Sequence, residues 1–177
     1  MAASLLVRVH RNVPFSAVLE RASAVVSQVL NFVAVPGLVY RLPPARRGLS
    51  LEGHQIIDVN FPGAYIQFQE IDASLVNFHS FSSPVPGESA RLLLACEASG
   101  RRPASEVLVV ALAGAAAELV NGSIDDGGHH WLDKDEYGPQ ELIQSLRLSD
   151  KPRDFDAAVE LVYRRQAVHL RHPVRRP

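Results

Sequence analysis

Residues 103–122 read PASEVLVVALAGAAAELVNG, and this stretch decides the fold. Ser105 is the expected N-cap of a helix, and Asn121-Gly122 marks its end because both residue types tolerate left-handed backbone. The apolar residues that recur at helical spacing are Leu108, Leu112, Ala115 and Leu119. Alanines fill most other positions, and Gly114 lets the backbone come close to a neighbour. The stretch therefore predicts a helix packed tightly against a sheet.

Two strand–helix units flank a run of short strands. Residues 4–11 alternate as a strand, and a helix is expected from Pro14 to the stop at Pro36-Gly37. In the same way, residues 90–98 predict a strand just before the helix at 103–122. The connections between the intervening runs are too short to cross over, so these runs predict antiparallel strands at 55–61, 64–71 and 75–81.

These elements predict an α+β fold, in which a mostly antiparallel sheet carries two long helices on one face with a ferredoxin-like character. Short C-terminal helices are expected at 139–148 and 154–164. With 177 residues the chain can build one core, so we expect a single domain over 1–177 with a flexible basic tail from about residue 166. An exposed sheet edge could pair with a second copy, which leaves a homo-oligomer open.

The composition fits a protein of the cytoplasm. A net charge of −1 gives no overall field that would attract nucleic acid or an anionic membrane. The single cysteine, Cys96, has no partner for a disulfide within the chain, which suits a reducing compartment. The N-terminus lacks the long apolar region of a signal peptide, and no segment approaches the roughly 20 apolar residues of a membrane span. We therefore expect a cytoplasmic protein without a membrane partner.

Most of the unusual polar chemistry lies in residues 125–137, DDGGHHWLDKDEY, which we call the acidic segment. The candidate partner-binding residues are Asp125, Asp126, His129, His130, Trp131, Asp133, Asp135, Glu136 and Tyr137. Adjacent histidines would point to opposite sides of a strand, and Gln144 stands where a calcium loop needs its closing glutamate. We therefore expect neither a metal nor a cofactor. The simplest alternative is a solvated turn before a helix capped at Gly138.

A small hydrolase-type enzyme is the first alternative function. His129 or His130 beside an aspartate of the acidic segment could act as an acid–base pair. Further histidines, each expected on a strand, are His10, His54 and His79. No Gly-x-Ser-x-Gly turn accompanies them, and Cys96 has no sequence cue for a nucleophile, so we assign no catalytic residue.

A nucleic-acid-associated module is the second alternative function. Its arginines would be Arg41, Arg46, Arg47, Arg164, Arg165, Arg171, Arg175 and Arg176. Aromatic residues that could stack on bases are not interleaved with these arginines. Nucleic acid is therefore not the partner that we expect.

Protein binding is the leading hypothesis. Trp131 and Tyr137 could anchor a basic protein partner while the surrounding carboxylates steer its approach. Equally, Trp131 could lie in the core beneath the last helices, and the sequence leaves both interpretations open.

The order of elements here resembles that of bacterial immunity proteins encoded beside polymorphic toxins. The resemblance covers about residues 103–147 and is carried by AAAELVNGSIDDGGHHWLD at 115–133 and DEYGPQELIQSLR at 135–147. In those proteins an alanine-rich helix ends in a glycine turn, and a strand, a Trp- or Asp-bearing loop and a proline-started helix follow. The resemblance implies a cytoplasmic, non-enzymatic protein that binds and occludes a cognate toxin, and it transfers no individual residue.

Overall fold

The computed structural model describes residues 3–44, 50–84, 90–126, 134 and 136–170, with side chains described through residue 165. Its helices are α1 (Phe15–Leu30), α2 (Pro103–Val120), α3 (Pro139–Leu146) and α4 (Phe155–Leu170). Its strands are β1 (Ser4–Arg8), β2 (Val13–Pro14), β3 (Leu38–Arg41), β4 (Ile56–Ile57), β5 (Ala64–Phe68), β6 (Val76–Ser83), β7 (Arg91–Ala98) and β8 (Ile124–Asp125).

The main sheet has six strands in the order β3-β5-β6-β7-β1-β8. Every neighbouring pair of strands is antiparallel. The fold contains a βαββαβ unit, which is formed in chain order by β1, α1, β6, β7, α2 and β8. Strands β7 and β1 are the two central strands of this unit. The predicted α+β class and antiparallel sheet are therefore confirmed, and β3 and β5 extend the sheet beyond β6.

The strand expected at 55–61 does not belong to this sheet. Only Ile56–Ile57 is extended, and it pairs with β2 in a separate two-stranded sheet. The Asp58 carboxylate accepts a hydrogen bond from the Asn60 N–H at 2.8 Å, which turns the chain and leaves Val59 62% exposed. The strand prediction was wrong here because the local turn at Asp58 overrides the alternating pattern.

Helix α1 ends earlier than the proline-glycine stop predicts. Asn31 adopts a left-handed conformation (φ 47°), and the backbone N–H of this residue points to the carbonyls of Ser27 and Gln28. Val33, which would have continued the apolar stripe, is 90% exposed. The helix still buries Phe15, Val18, Ala22, Val25, Val26, Val29 and Leu30, so one complete face meets the core.

Helix α2 is enclosed by other elements on nearly all sides. It contacts α1, strands β1 and β7, and helices α3 and α4. A Cβ added to Gly114 would lie 3.4 Å from Ile143 of α3 and 3.8 Å from Val25 of α1, so the small residue faces helices rather than the sheet. Helix α2 is closely packed as expected, but Gly114 lies against helices and not against the sheet as predicted. The reason is that the C-terminal helices form a further layer against α2.

The two ends of α2 differ in how well the sequence predicts them. Asn121 is the C-cap in left-handed conformation (φ 54°), as expected. Ser105 is not the N-cap, because Pro103 already occupies the first turn and Arg102 holds the cap position. The Ser105 hydroxyl instead lies 2.9 Å from the Arg102 carbonyl and 3.1 Å from the Gly100 carbonyl.

By length and composition, α2 could cross a membrane, with a mean hydropathy of 1.6, but 78% of it is buried inside the fold. The expectation that no segment reaches that composition was therefore wrong for α2. Its burial makes it a core helix of this fold.

The C-terminal helices end at other residues than the sequence predicts. Helix α3 begins at Pro139 behind Gly138 as expected and ends at Leu146. Helix α4 continues to Leu170, past the predicted end at Arg164. Residues 171–177 of the expected basic tail lie outside the described residues.

Candidate functional site

The acidic segment leaves and rejoins the fold at one point on the sheet edge. Strand β8 is the outermost strand beside β1, with Leu6 opposite Asp125. Ile124 and Tyr137 form an antiparallel bridge, in which the Ile124 N–H donates to the Tyr137 carbonyl at 2.9 Å and the Tyr137 N–H donates back at 2.8 Å. The two ends of the acidic segment are therefore hydrogen-bonded to each other at the sheet edge.

Only part of the predicted binding set falls within the described residues. Asp125, Asp126, Glu136 and Tyr137 are described and lie at the two ends of the acidic segment, where Asp126 and Tyr137 are each 5% exposed. His129, His130, Trp131, Asp133 and Asp135 lie outside the described residues. The choice between a core and an interface role for Trp131 thus stays a prediction.

Tyr137 anchors the C-terminal end of the acidic segment in the hydrophobic core. Its side chain is 5% exposed and belongs to the hydrophobic core, and the Lys134 ammonium lies 5.2 Å from the ring centroid. Lys134 also forms an ion pair with Glu141 on α3. The Arg8 guanidinium lies 3.6 Å from the Glu136 carboxylate, which ties the loop to β1. These contacts hold the returning end of the loop against α3 and the sheet.

The histidines expected on strands do not form a catalytic pair among the described residues. His10 and His54 are exposed and lie in turns beyond the strands, so their strand placement was wrong. His79 is on β6, with Nδ1 4.0 Å from the Glu97 carboxylate and without a hydrogen bond. Glu97 instead accepts a hydrogen bond from the Asn77 amide at 3.1 Å, so no carboxylate among the described residues orients the His79 imidazole.

Cys96 is fully buried in β7, and desolvation raises the pKa of its thiol far above the ordinary value. A thiol that stays protonated is a poor nucleophile. In the part of the chain that the structure describes, no group of three or more His, Cys, Asp or Glu side chains could hold a metal ion.

The predicted arginine clusters are only partly described. Arg41 ends the edge strand β3, whereas Arg46, Arg47 and the arginines at 171, 175 and 176 lie outside the described residues. Arg164 donates to Glu160 at 2.8 Å, and Arg165 donates to the Arg147 carbonyl at 2.7 Å. The first bond therefore lies within α4, and the second connects α4 to the C-terminal end of α3.

A different basic site appears where β1 ends and β7 begins. A groove of about 640 Å³, which we call the basic groove, is lined there by Arg8, His10, Arg11 and Arg91. This groove was not predicted from the sequence because Arg91 is far from the other three residues along the chain. Its one local signal was the run RVHRN at 8–12, which places three cationic or titratable side chains at the end of a strand.

Glu106, in the first turns of α2, is a buried acid outside these sites. It is 5% exposed, and desolvation raises its pKa from 4.5 to about 6, against a smaller lowering by Arg101. Because the folded state holds this proton more tightly than the unfolded state, stability falls as pH rises through this window. The contribution of protonated Glu106 to the free energy of unfolding is complete below about pH 4.5 and is lost above about pH 6.

We therefore expect Glu106→Gln to stabilise the protein by about 2 kcal/mol at pH 8 and to leave its stability nearly unchanged at pH 4. Urea denaturation at both pH values measures this difference. Glu20→Gln, an exposed position on α1, is the matched control and should show no such pH dependence. An equal effect of Glu106→Gln at both pH values would contradict the assignment.

No family model, curated protein or solved structure matches the chain.

Proposed function

We propose that the chain is a cytoplasmic, non-enzymatic binding protein of the immunity type, which engages a basic surface of a cognate protein through the acidic segment. The observation that carries this proposal is the Ile124–Tyr137 bridge at the sheet edge. A loop whose ends are fixed loses less conformational entropy on binding than a free loop. The bridge thus supports a role in recognition for the residues between its ends.

The charge of the acidic segment favours a basic partner. The segment contains five carboxylates and one lysine, although the whole chain has a net charge of only −1. Of the five, Glu136 is paired with Arg8, Asp126 is only 5% exposed, and Asp125 and Asp126 both have interaction partners. Carboxylates concentrated in one loop would accelerate encounter with a positively charged protein and would make that rate sensitive to salt.

The sheet face beside the loop adds apolar surface. Leu5 and Val7 are buried in the core, so the alternation of β1 directs Leu6 to the opposite face, where it is half-buried. Leu6 pairs with Asp125, and Phe81 and Leu93 pair with each other on the neighbouring strands. A protein partner could therefore bury apolar contacts next to the carboxylates, which is the usual arrangement of an interface core and its polar rim.

The proposal predicts that Trp131→Ala or Asp133→Ala weakens the complex with the product of the adjacent gene. A central hot-spot residue contributes roughly 2 kcal/mol, so we expect about a 30-fold rise in Kd for Trp131→Ala. The measurement is isothermal titration calorimetry on the co-expressed and separately purified proteins. Asp150→Ala, an exposed acid between α3 and α4, is the control and should leave Kd unchanged.

Two outcomes would contradict the proposal. If neither protein retains the other at micromolar concentration, the adjacent gene product is not the partner and the immunity-type role fails. If a complex forms but Trp131→Ala, Asp133→Ala and Asp150→Ala all bind like the unaltered chain, recognition does not use the acidic segment.

A further inference from the structure

The two edges of the main sheet differ in how they end. Strand β8 is covered on its outer side by the bridge between Ile124 and Tyr137. Strand β3 is the other edge, and among the described residues no strand or bridge pairs with its outer side. Three of its four residues are exposed, with Val39 at 41% and Tyr40 at 39%. An open edge of this kind presents a row of backbone N–H and C=O groups to another strand.

The register of β3 on β5 shows which backbone groups face outward. The Gln69 N–H, just beyond β5, donates to the Gly37 carbonyl at 2.7 Å. Because the hydrogen-bonded positions alternate along an antiparallel pair, the odd-numbered residues of β3 direct their backbone groups toward β5. The N–H and C=O groups of Leu38 and Tyr40 therefore point away from the sheet, so β3 offers two donors and two acceptors at its edge.

The side chains of β3 are compatible with a strand added at this edge. The Tyr40 ring lies edge-on to Phe15, with centroids 5.1 Å apart, and Leu38 packs against the core. By alternation, Val39 and Arg41 project from the opposite, helix-free face of the sheet. The prolines at 36 and 44 have no N–H to add at the outward positions beyond either end, which limits any added pairing to a short stretch around β3.

A second copy of the chain matches this edge under two-fold symmetry. With the axis beside Val39, Leu38 lies opposite the partner's Tyr40, and these positions exchange N–H···O=C bonds on each side of the axis. Val39 then lies opposite its own copy, in the kind of pair where antiparallel side chains come closest. Arg41 falls opposite the partner's Gly37, so the two guanidiniums do not meet.

We propose that two copies of the chain pair through β3 and join their sheets into one continuous antiparallel sheet. A strand pair of this length buries less than the roughly 1,200 Å² of a stable interface, so the dimer is weak and its formation depends on concentration. The acidic segment lies at the other edge of the sheet, so the dimer carries one acidic segment at each outer end.

Sedimentation equilibrium of the full chain between about 5 and 500 µM tests the dimer. We expect a monomer–dimer equilibrium with a Kd on the order of 100 µM. Val39→Lys places two like charges opposite each other at the axis, so we expect its Kd to rise at least tenfold. Val33→Lys is the matched control, because Val33 is 90% exposed just beyond the end of α1, and its Kd should equal that of the unaltered chain.

Disulfide trapping tests the register. The two Cα atoms of residue 39 would be about 4.5 Å apart, within the range that a disulfide spans, so Val39→Cys should cross-link on mild oxidation. Arg41→Cys is the control on the same strand and face, since its two copies would be about 14 Å apart along the pair. The native Cys96 is buried and does not compete.

Circular dichroism establishes that each variant folds, and Val39→Glu, which also sets like charges at the axis, replaces Val39→Lys if that variant does not. The proposal is overturned if the unaltered chain is monomeric at every concentration. It is also overturned if Val39→Lys dimerises like the unaltered chain, or if Arg41→Cys cross-links as fast as Val39→Cys. None of these measurements involves another protein, so their failure and that of the proposed interface at the acidic segment are distinguishable.

Discussion

Gly122→Ala is expected to destabilise the protein by about 3 kcal/mol, because a Cβ at this position has no space. It would lie 1.9 Å from the carbonyl oxygen of Arg8, which is backbone and cannot move aside without displacing β1. The neighbouring Ser123 carbonyl accepts the Arg8 N–H at 3.1 Å, so both strands would have to separate. This glycine lets the end of α2 pass directly over β1 on its way to β8.

Thermal denaturation measures the effect, and a shift of roughly 6–12 °C in Tm corresponds to that loss for a chain of this size. Gly100→Ala is the matched control, since a Cβ there would meet nothing within 4 Å, and its Tm should change little. Equal Tm values for the two variants would show that β1 can shift without cost.

Local chemistry made parts of this fold predictable from sequence. The stop at Asn121-Gly122 depends on residues that tolerate left-handed backbone, and Asn121 adopts it. The short connections between β5, β6 and β7 allow only antiparallel pairing, which is what forms. Such features are decided within a few residues, so the sequence alone carries them.

Competition between local signals explains the errors in the strands and caps. The alternation at 55–61 is typical of a strand, but the Asp58 carboxylate bonds to a nearby backbone N–H and turns the chain. Ser105 is a common N-cap residue, but Pro103 begins the helix one turn earlier than that role would need. In both places two local patterns overlapped, and the turn at Asp58 and the proline at the start of α2 prevailed.

The basic groove could not have been predicted without the strand order. Arg8 and Arg91 are 83 positions apart in the sequence and become neighbours only because β1 lies next to β7. The acidic segment is the opposite case, since its residues are contiguous and its composition is visible at once. What the sequence could not show there is the Ile124–Tyr137 bridge, which requires β8 to lie at the edge of the sheet.

Phe15→Ala should cost about 3–5 kcal/mol, the range for removing a fully buried aromatic ring. Phe15 opens α1 with no exposed surface, and its N–H donates to the Gln55 carbonyl at 2.8 Å. Its ring centroid lies 5.1 Å from that of Tyr40, 5.3 Å from Phe61 and 6.0 Å from Phe78. One side chain therefore joins α1 to β3, to β6 and to the turn after β4.

Phe81→Ala removes the same atoms from the opposite face of β6, where the ring is 36% exposed and lies near His79. We expect that control to cost less than about 1 kcal/mol, because the vacated space is filled by solvent. Urea denaturation of both variants measures the contrast, and Phe15→Leu should fall between them. Similar losses for Phe15→Ala and Phe81→Ala would mean that the aromatic cluster does not organise the junction between α1 and the sheet. A selective loss for Phe15→Ala would establish that the aromatic cluster holds this end of the fold together.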